Sequence, residues 1–169
     1  MKYKCLFLDR DGVINYDFGY VYLEKDFKFR DEIFQLCREA KANLFKIIVI
    51  TNQAGIGRGY YSENEFQKVN KFMLNTFKLK NIYIDDVFFC PFHPIYGVGK
   101  YLKNSFDRKP NPGMFFKAAN VHNINLKKSI MIGDKESDKE AAFKAGIGFY
   151  VDANLNDWIE RTLDFIYSN

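Results

Sequence analysis

The sequence lacks any long apolar stretch, and this excludes a protein that crosses a membrane. Of its 169 residues 47% are hydrophobic, yet no run approaches the roughly 18 apolar residues of a transmembrane helix. The first apolar run, residues 5–8, is too short for the hydrophobic region of a secretory signal. Internal repeats and low-complexity tracts are also missing. We therefore expect a soluble, cytoplasmic protein that forms one domain over residues 1–169.

Cysteine is scarce and its count is odd. Cys5, Cys37 and Cys90 are spread widely along the chain, whereas a disulfide framework is built from pairs of cysteines at regular spacings. This pattern predicts free thiols and a reducing compartment.

An excess of one charge is also lacking. The chain has 25 Lys and Arg residues against 21 Asp and Glu residues, which gives a net charge of +4. A nucleic-acid-binding protein needs a concentrated basic patch, so the expected partners include neither nucleic acid nor membrane. A weakly positive protein suits a small anionic substrate, and nothing in the sequence requires more than a monomer.

What the sequence contains is an alternation of short apolar strands and helical segments. The apolar runs lack polar alternation, which is typical of strands buried on both faces of a parallel sheet. Strands that alternate with helices indicate an α/β protein of Rossmann type, with a mainly parallel sheet of five or six strands and helices on both faces. The predicted strands are residues 5–8, 46–50, 87–90, 129–132 and 148–151.

Local signals add detail between the strands. Asp31 precedes a helical pattern and is expected to cap it, and Ser62 with Glu65 forms a capping box at the start of another helix. Residues 20–23 and 27–29 are extended enough in composition to form a small hairpin.

Polar residues follow the predicted strands at the point where each one ends. Carboxyl ends of parallel strands meet at one edge of a sheet, where open α/β sheets bind their ligands. We therefore expect these side chains to converge. They are Asp9 and Asp11 after the first strand, Thr51 after the second, Arg108 and Lys109 in the connection after the third, and Asp134 after the fourth.

This set suits phosphoryl transfer. Asp9 could attack phosphorus, and Asp11 could protonate the leaving oxygen and later deprotonate a water molecule. Thr51 and Lys109 could hold the remaining phosphate oxygens. Acidic groups such as Asp9, Asp11 and Asp134 favour Mg²⁺, which prefers oxygen ligands.

Each of these residues also has an ordinary structural explanation. The two acids after the first strand could form a simple turn, Thr51 could cap a helix, and Lys109 could be a solvated loop residue. Asp134 and Asp138 could be acids that complement a helix dipole. The ordered occurrence of the whole set is what favours a site.

Four motifs in order resemble the haloacid dehalogenase (HAD) superfamily of phosphatases. They are DRDG at residues 9–12, ITN at residues 50–52, Lys109 within RKP, and GDKESD at residues 133–138. The longer segments FLDRDGVIN, GYV, TNQAGIGRG, RKPNPGM and IGDKESD resemble the branch of heptose-1,7-bisphosphate phosphatases and histidinol-phosphatases. That branch lacks a large cap domain, so none is expected here.

The resemblance implies the roles of individual residues. Asp9 would be the nucleophile and Asp11 the general acid/base, with Thr51 and Lys109 stabilising the transferring phosphoryl group. Mg²⁺ would be bound by Asp9, by Asp11 through its main-chain carbonyl, and by Asp134. The substrate site would be lined by Asp17, Tyr20, Thr51, Asn52, Gln53, Ala54, Arg58, Arg108, Lys109 and Lys135.

One departure from the family concerns zinc. Relatives usually hold a structural zinc through a cysteine and a histidine in a CPHHP-like segment and two cysteines before RKP. Here only Cys90 clearly remains, because Phe92 replaces the histidine and Ser105 and Asp107 replace the two cysteines, although Cys90, His93 and Asp107 could still form a weak three-ligand site. Structural zinc sites are four-coordinate and rich in thiolates. We therefore predict a loop without zinc, in which Phe92 and Phe106 form an apolar packing contact in place of the metal.

The sequence leads to one expected function and two alternatives. The expected reaction is Mg²⁺-dependent hydrolysis of the C7 phosphate of a D-glycero-D-manno-heptose 1,7-bisphosphate, in the biosynthesis of nucleotide-activated heptose. Hydrolysis of histidinol phosphate is the alternative within the same class. A receiver-like or other non-enzymatic binding domain is the remote alternative, because receivers place their acidic acceptor after the third strand, and the third strand here ends at Cys90.

Overall fold

The computed structural model describes residues 2–169, which contain five β-strands and six α-helices. The strands are β1 (Cys5–Leu8), β2 (Lys46–Asn52), β3 (Asp86–Cys90), β4 (Ile130–Gly133) and β5 (Phe149–Asp152). The helices are α1 (Glu32–Ala42), α2 (Ala54–Gly57), α3 (Glu63–Leu79), α4 (Gly113–His122), α5 (Glu136–Ala145) and α6 (Trp158–Ser168).

All five strands form one parallel sheet in the order β3-β2-β1-β4-β5. β1 is the central strand, and its Leu6 is in register with Ile47 on one side and Ile130 on the other. The chain runs outward from β1 to β3 and then returns to the opposite side of β1 with β4. The predicted parallel sheet is thus confirmed, with five strands. The order reverses between β1 and β4, and such a reversal opens a crevice at the carboxyl ends of the strands.

Helices cover both faces of the sheet, because side chains along each strand alternate between the faces. Leu6 and Leu8 point into a core shared with α1, α3 and α6. Phe7 points into the opposite core with α4 and α5, where its ring meets that of Phe115 edge-on at 5.1 Å. Burying each such side chain stabilises the fold by about 1.5–3 kcal/mol.

Of the two predicted helix caps, one forms as expected and the other makes no capping bond. The capping box is present, since Ser62 N donates to Glu65 Oε2 at 2.7 Å and Glu65 N donates to Ser62 Oγ at 3.2 Å. Asp31 precedes α1 but makes no side-chain capping bond.

The predicted hairpin is wrong. Residues 20–23 contain no strand, and residues 24–26 form a single 3-10 turn. The segment is closed instead by an antiparallel bridge between Asn15 and Phe29. The segment between Asn15 and Phe29 and the connection at residues 91–112 are each far shorter than the roughly 40 residues that an independent core requires. Neither segment therefore forms a cap domain. Within the part of the chain that the structure describes, no helix is both long enough and apolar enough to span a bilayer.

Candidate active site

The predicted site residues converge at the carboxyl ends of β1, β2 and β4. Asp9 directly follows β1, and its main-chain N–H donates to Ile132 O on β4 at 3.0 Å. Thr51 lies in the last part of β2, and Asp134 directly follows β4. Asp9 and Asp134 therefore flank the point where the strand order reverses, and these residues meet at one edge of the sheet as the sequence predicts.

Lys109 reaches this centre from the connection between β3 and α4. Its Nζ lies 3.0 Å from Asp9 Oδ1 and 2.6 Å from Asp138 Oδ1, and it donates to Ile50 O at 2.8 Å. The Lys109 side chain is only 1% exposed, so this is a buried cation between two buried carboxylates rather than a solvated loop lysine. The main chain of Lys109 is held by Asn52, whose amide donates to Lys109 O at 2.9 Å and accepts from Lys109 N at 3.1 Å.

Crowding and burial shift the pKa values of these groups. Burial raises the pKa of Asp9 to about 7; Lys109 opposes this rise, while Asp138 and Asp11 add to it. Burial is also the main reason why the pKa of Asp134 is raised. Burial acts to lower the pKa of Lys109, but the carboxylates of Asp9 and Asp138 outweigh it and the net shift is upward. The cluster therefore has affinity for additional positive charge.

The carboxylate cluster fits a small hard cation. Oxygens of Asp9, Asp134 and Asp138 lie within 4.8 Å of one another. Buried Asp134 Oδ1 has no hydrogen-bond partner among residues 2–169. A Cβ on Gly12, which has φ +87°, would lie 2.3 Å from Asp134 Oδ2, so only glycine leaves room for this carboxylate. Carboxylate oxygens arranged in this way match the ligand preference of Mg²⁺.

Asp138 is part of the cluster, but its oxygens already serve the protein. Oδ1 pairs with Lys109, and Oδ2 accepts from the main-chain N–H groups of Asp134 and Lys135 at 3.2 and 3.1 Å. It therefore positions Lys109 and the turn after β4. The sequence analysis noted Asp138 as a second acid near Asp134, within the GDKESD motif, and as a possible helix acid, but it assigned Asp138 no role of its own.

The carboxylate of Asp11 is held by three neighbours. Arg10 donates to both of its oxygens, Asn15 Nδ2 donates to Oδ1 at 3.0 Å, and Gln53 Nε2 donates to Oδ2 at 3.0 Å. The Gln53 amide also donates to Thr51 Oγ1 at 2.8 Å. Thr51 thus accepts a hydrogen bond from Gln53, which leaves its own hydroxyl hydrogen free to donate to a ligand.

Arg10 and Tyr61 take part in the hydrogen-bond network around Asp11, and neither was predicted from the sequence. The hydroxyl of buried Tyr61 donates to Gln53 Oε1 at 2.6 Å and so fixes which end of the amide faces Asp11. Gly55 permits this, because a Cβ there would lie 2.1 Å from the Tyr61 ring. Three glycines in residues 51–59 did signal a close approach, but the pattern does not reveal the partners, which are the Tyr61 ring for Gly55 and the main-chain oxygen of Pro91 for Gly57.

A cleft of about 430 Å³ opens above these residues. At its rim, Lys135 Nζ lies 3.0 Å from Asp17 Oδ2. Bonds from Gly19 N–H and Lys135 outweigh burial and hold the pKa of Asp17 below its usual value. Most of the predicted substrate-site residues line the cleft: Asp17, Tyr20, Asn52, Gln53, Ala54, Arg58, Arg108, Lys109 and Lys135.

Two arginines and a histidine gather at one side of the cleft. Burial and the nearby Arg58 lower the pKa of Arg108. His93 Nδ1 accepts from the main-chain N–H groups of Ile95 and Tyr96 at 3.2 and 3.0 Å, so a neutral ring carries its hydrogen on Nε2. His93 Nε2, which carries that hydrogen, lies 3.3 Å from Arg58 Nη2. Both facing groups, the His93 Nε2–H and the Arg58 guanidinium, are donors, so a ligand that accepts hydrogen bonds could pair with both.

The residues at the lost zinc positions have other contacts. Burial raises the pKa of the Cys90 thiol, Asp107 pairs with Lys117, and His93 binds main-chain N–H groups. Phe92 and Phe106 pack against different rings, those of Tyr101 and Phe116. The absence of zinc stays a prediction.

We expect protein purified without added zinc to contain far less than one zinc per chain, because a four-ligand thiolate set is lacking. Elemental analysis measures this. The triple variant Phe92→His, Ser105→Cys, Asp107→Cys is the control, since it restores the four family ligands together with Cys90 and should acquire zinc. Stoichiometric zinc in the unaltered protein would contradict the prediction.

Comparisons with known proteins agree with this geometry. A family model described as HAD-hydrolase-like matches residues 106–151. The chain is 51% identical over 148 residues to the D-glycero-alpha-D-manno-heptose-1,7-bisphosphate 7-phosphatase of Burkholderia mallei, which covers 88% of this chain and 78% of the relative. It is 40% identical over 148 residues to the corresponding beta-named enzyme of Vibrio cholerae, which covers 88% of this chain and 80% of the relative.

Solved structures show the same fold. A HAD-like phosphatase candidate from Mesorhizobium loti superposes with a TM-score of 0.91 at 30% identity, covering 99% of this chain and 87% of that one. A D,D-heptose 1,7-bisphosphate phosphatase from B. bronchiseptica, complexed with magnesium and phosphate, gives a TM-score of 0.76 at 27% identity, covering 86% and 78%. The resemblance inferred from the four motifs is confirmed. The chain belongs to the family of D-glycero-D-manno-heptose-1,7-bisphosphate 7-phosphatases, within the HAD-like hydrolases.

Proposed function

We propose that the protein is a Mg²⁺-dependent phosphatase that removes the C7 phosphate of D-glycero-D-manno-heptose 1,7-bisphosphate. The observation that carries the proposal is Asp9, a buried carboxylate at the end of the central strand, 3.0 Å from the ammonium of Lys109. A fixed cation beside a carboxylate nucleophile offsets the charge of an incoming phosphoryl group. The names of relatives that are 40–51% identical support the substrate.

The reaction proceeds in two balanced steps. In the first, a carboxylate oxygen of Asp9 bonds to phosphorus while the bond from phosphorus to the sugar O7 breaks, and O7 takes a proton from the Asp11 carboxyl. In the second, water attacks the aspartyl-phosphate, Asp11 takes a proton from that water, and the phosphate leaves Asp9. Both acids then return to their starting states.

The remaining residues stabilise charge on the phosphoryl oxygens. Lys109 is fixed by its three contacts and needs no reorganisation, and Thr51 has a hydroxyl hydrogen available to donate. Bound Mg²⁺, with Asp9, Asp134 and the Asp11 main-chain carbonyl as ligands, would neutralise further negative charge. Tyr20 and the ion pair of Asp17 and Lys135 offer polar groups to sugar hydroxyls at the rim.

The donor group of Arg58, Arg108 and His93 suits the phosphate that does not react. Its cations repel each other without a ligand, and buried Arg58 Nε has no partner among the described residues. A phosphate dianion would accept from these donors and relieve the repulsion. Histidinol phosphate carries only one phosphate, so it would leave them unpaired. This favours a bisphosphate over the alternative substrate.

The test is a comparison of kcat/KM for five substrates with Mg²⁺ and with EDTA. Both anomers of the heptose 1,7-bisphosphate, heptose 7-phosphate, histidinol phosphate and p-nitrophenyl phosphate are the panel. We expect a heptose bisphosphate to exceed the two natural monophosphates by at least about 100-fold, because leaving buried donors unpaired costs several kcal/mol. EDTA should abolish turnover. Equal rates across the panel would overturn the proposal, and faster turnover of histidinol phosphate would establish the alternative.

Some properties stay predictions beside this function. These are the single domain, the cytoplasmic location, the monomeric state, and the lack of nucleic-acid or membrane partners. Relatives are named for both the alpha and the beta anomer, so the two anomers in the panel decide that preference.

A further inference from the structure

Arg10 is the largest fully buried side chain among residues 2–169, and the proposed reaction leaves it unused. It lies between the two acids Asp9 and Asp11 in sequence but points into the interior. Its guanidinium carbon is 5.8 Å from the ring centroid of Phe27 and 5.6 Å from that of Phe66. A buried arginine is costly unless its charge is paired, so its partners indicate its purpose.

The charge partner of Arg10 is the carboxylate of Asp11. Arg10 Nε donates to Oδ1 at 3.2 Å, and Nη2 donates to Oδ1 at 2.9 Å and to Oδ2 at 3.0 Å. The rings of Phe27 and Phe66 fix the plane of the guanidinium, and the guanidinium in turn fixes the orientation of the Asp11 carboxylate that it binds. Among residues 2–169, three donor nitrogens engage Oδ1 when Asn15 is included, whereas Oδ2 accepts from two, one on Arg10 and one on Gln53. Oδ2 is thus the less crowded oxygen, and it lies on the side of Gln53, which lines the cleft.

The same guanidinium also binds the main chain of the loop at residues 17–21, which borders the cleft. Arg10 Nη2 donates to Val21 O at 2.6 Å. Val21 is buried and directly follows Tyr20, which lines the cleft together with Asp17. The buried guanidinium of Arg10 therefore couples the orientation of Asp11 to the position of the loop at residues 17–21.

We propose that Arg10 is a positioning residue that holds Asp11 for proton transfer at Oδ2 and links that orientation to the loop at residues 17–21. The inference rests on the proposed function, because it takes Asp11 as the proton donor to the leaving oxygen. An arginine that only stabilised the fold would affect all substrates alike, and one that only held the loop would change KM for the sugar rather than kcat. A positioning role for the proton donor affects only those substrates whose leaving group needs a proton.

The experiment compares two leaving groups. Release of a sugar alkoxide needs a proton, whereas release of p-nitrophenolate does not, and kcat/KM reports only the steps through that release. We expect Arg10→Lys to lower kcat/KM for heptose 1,7-bisphosphate by about 100-fold, the range of general acid catalysis. For p-nitrophenyl phosphate the loss should be only a few-fold. Equal losses for both substrates, or no loss for either, would overturn the inference.

Arg30→Lys is the matched control. Arg30 also grips the main chain beside the site, donating to Gly12 O at 2.9 Å and to Ala153 O at 3.3 Å, and it stacks on Trp158. It makes no described contact with Asp11. Its replacement should change both substrates by the same factor.

A second comparison keeps the inference testable if Arg10→Lys folds poorly. Arg10→Gln combined with Asp11→Asn removes the buried charge pair as a unit and is compared with Asp11→Asn alone. The two should have equal kcat for the sugar, because Arg10 acts on proton transfer through Asp11, and any further loss from releasing the loop at Val21 O should appear in KM; a further tenfold loss in kcat would overturn the inference. If Asp11→Asn itself shows no preference between leaving groups, the proposed role of Asp11 fails instead.

Discussion

Asp9→Asn is expected to fold and to lose at least about 10⁴-fold in kcat, the scale seen when a covalent nucleophile is removed. The amide retains the shape of the carboxylate, and it can still accept from Arg10 N–H and Lys109, which bond to Asp9 Oδ1 at 2.8 and 3.0 Å. It cannot, however, form an aspartyl-phosphate, since a neutral amide is a poor nucleophile. Turnover of the heptose bisphosphate with saturating Mg²⁺ measures the loss.

A second prediction for Asp9→Asn concerns the stability of the protein without metal and its stabilisation by Mg²⁺. Burial raises the pKa of Asp9 to about 7, so the ionised carboxylate is disfavoured in the metal-free fold at higher pH. Asn removes that unfavourable charge, and the metal-free melting temperature should stay close to that of the unaltered protein. Stabilisation by Mg²⁺, about 2.7 kcal/mol at a concentration of 100 times Kd, should largely vanish because one ligand is lost.

Asp164→Asn, an exposed change on α6, is the control and should leave both turnover and the Mg²⁺ response unchanged. Appreciable turnover by Asp9→Asn, in protein shown by mass spectrometry to be free of deamidation at residue 9, would remove Asp9 from the role of nucleophile.

The central part of this site follows from sequence because it depends on a rule of geometry. Residues that directly follow parallel strands meet at one edge, whatever the strand order, so Asp9, Thr51 and Asp134 were placed together without knowledge of that order. Lys109 was grouped with these residues as part of the connection after the third strand, but the rule does not fix where a residue in so long a connection lies. Its anchor, the Asn52 amide, is 57 residues away, and spacing alone cannot reveal such a pair.

The hairpin was predicted wrongly for a related reason. The composition of residues 20–23 suits a strand, but local preference is weak beside tertiary contacts. In the fold, Val21 O is taken by the buried guanidinium of Arg10, and the pairing moves to Asn15 and Phe29. Arg10 itself gives no sequence signal, because an arginine between two aspartates usually indicates a solvated turn. The long-range contacts that decide this segment all involve side chains whose burial the pattern does not show.

Lys109→Met should both inactivate the enzyme and destabilise it, more strongly at high pH. The substitution keeps the length of the side chain but leaves the buried carboxylates of Asp9 and Asp138 without their cation, and breaking a buried pair costs about 3–5 kcal/mol. Because the pKa of Lys109 is raised in the fold, its stabilising charge is lost only above its ordinary pKa. Lys109 is therefore charged throughout the range from about pH 5 to about pH 9, and any dependence on pH in this range comes from the acids.

The sign of that dependence follows from Asp9. Its pKa in the fold is about 7, above the model-peptide value of 3.8, so the fold favours its protonated form and Asp9 contributes less stability as pH rises between these values. Without Lys109 the same penalty grows, since an ionised Asp9 then faces Asp138 directly. Urea unfolding in EDTA should therefore give a larger loss for Lys109→Met at about pH 8 than at about pH 5.5.

Two further variants separate this electrostatic effect from a simple packing defect. Lys144→Met removes an exposed lysine that pairs with Glu140 at 3.2 Å, and it should cost no more than about 0.5 kcal/mol at either pH. Adding Asp138→Asn to Lys109→Met removes one of the two unpaired charges and should recover part of the stability at about pH 8, but not the activity. An equal loss at both pH values, with no recovery in the double variant, would mean that Lys109 stabilises the fold through packing rather than as the counter-charge of Asp9.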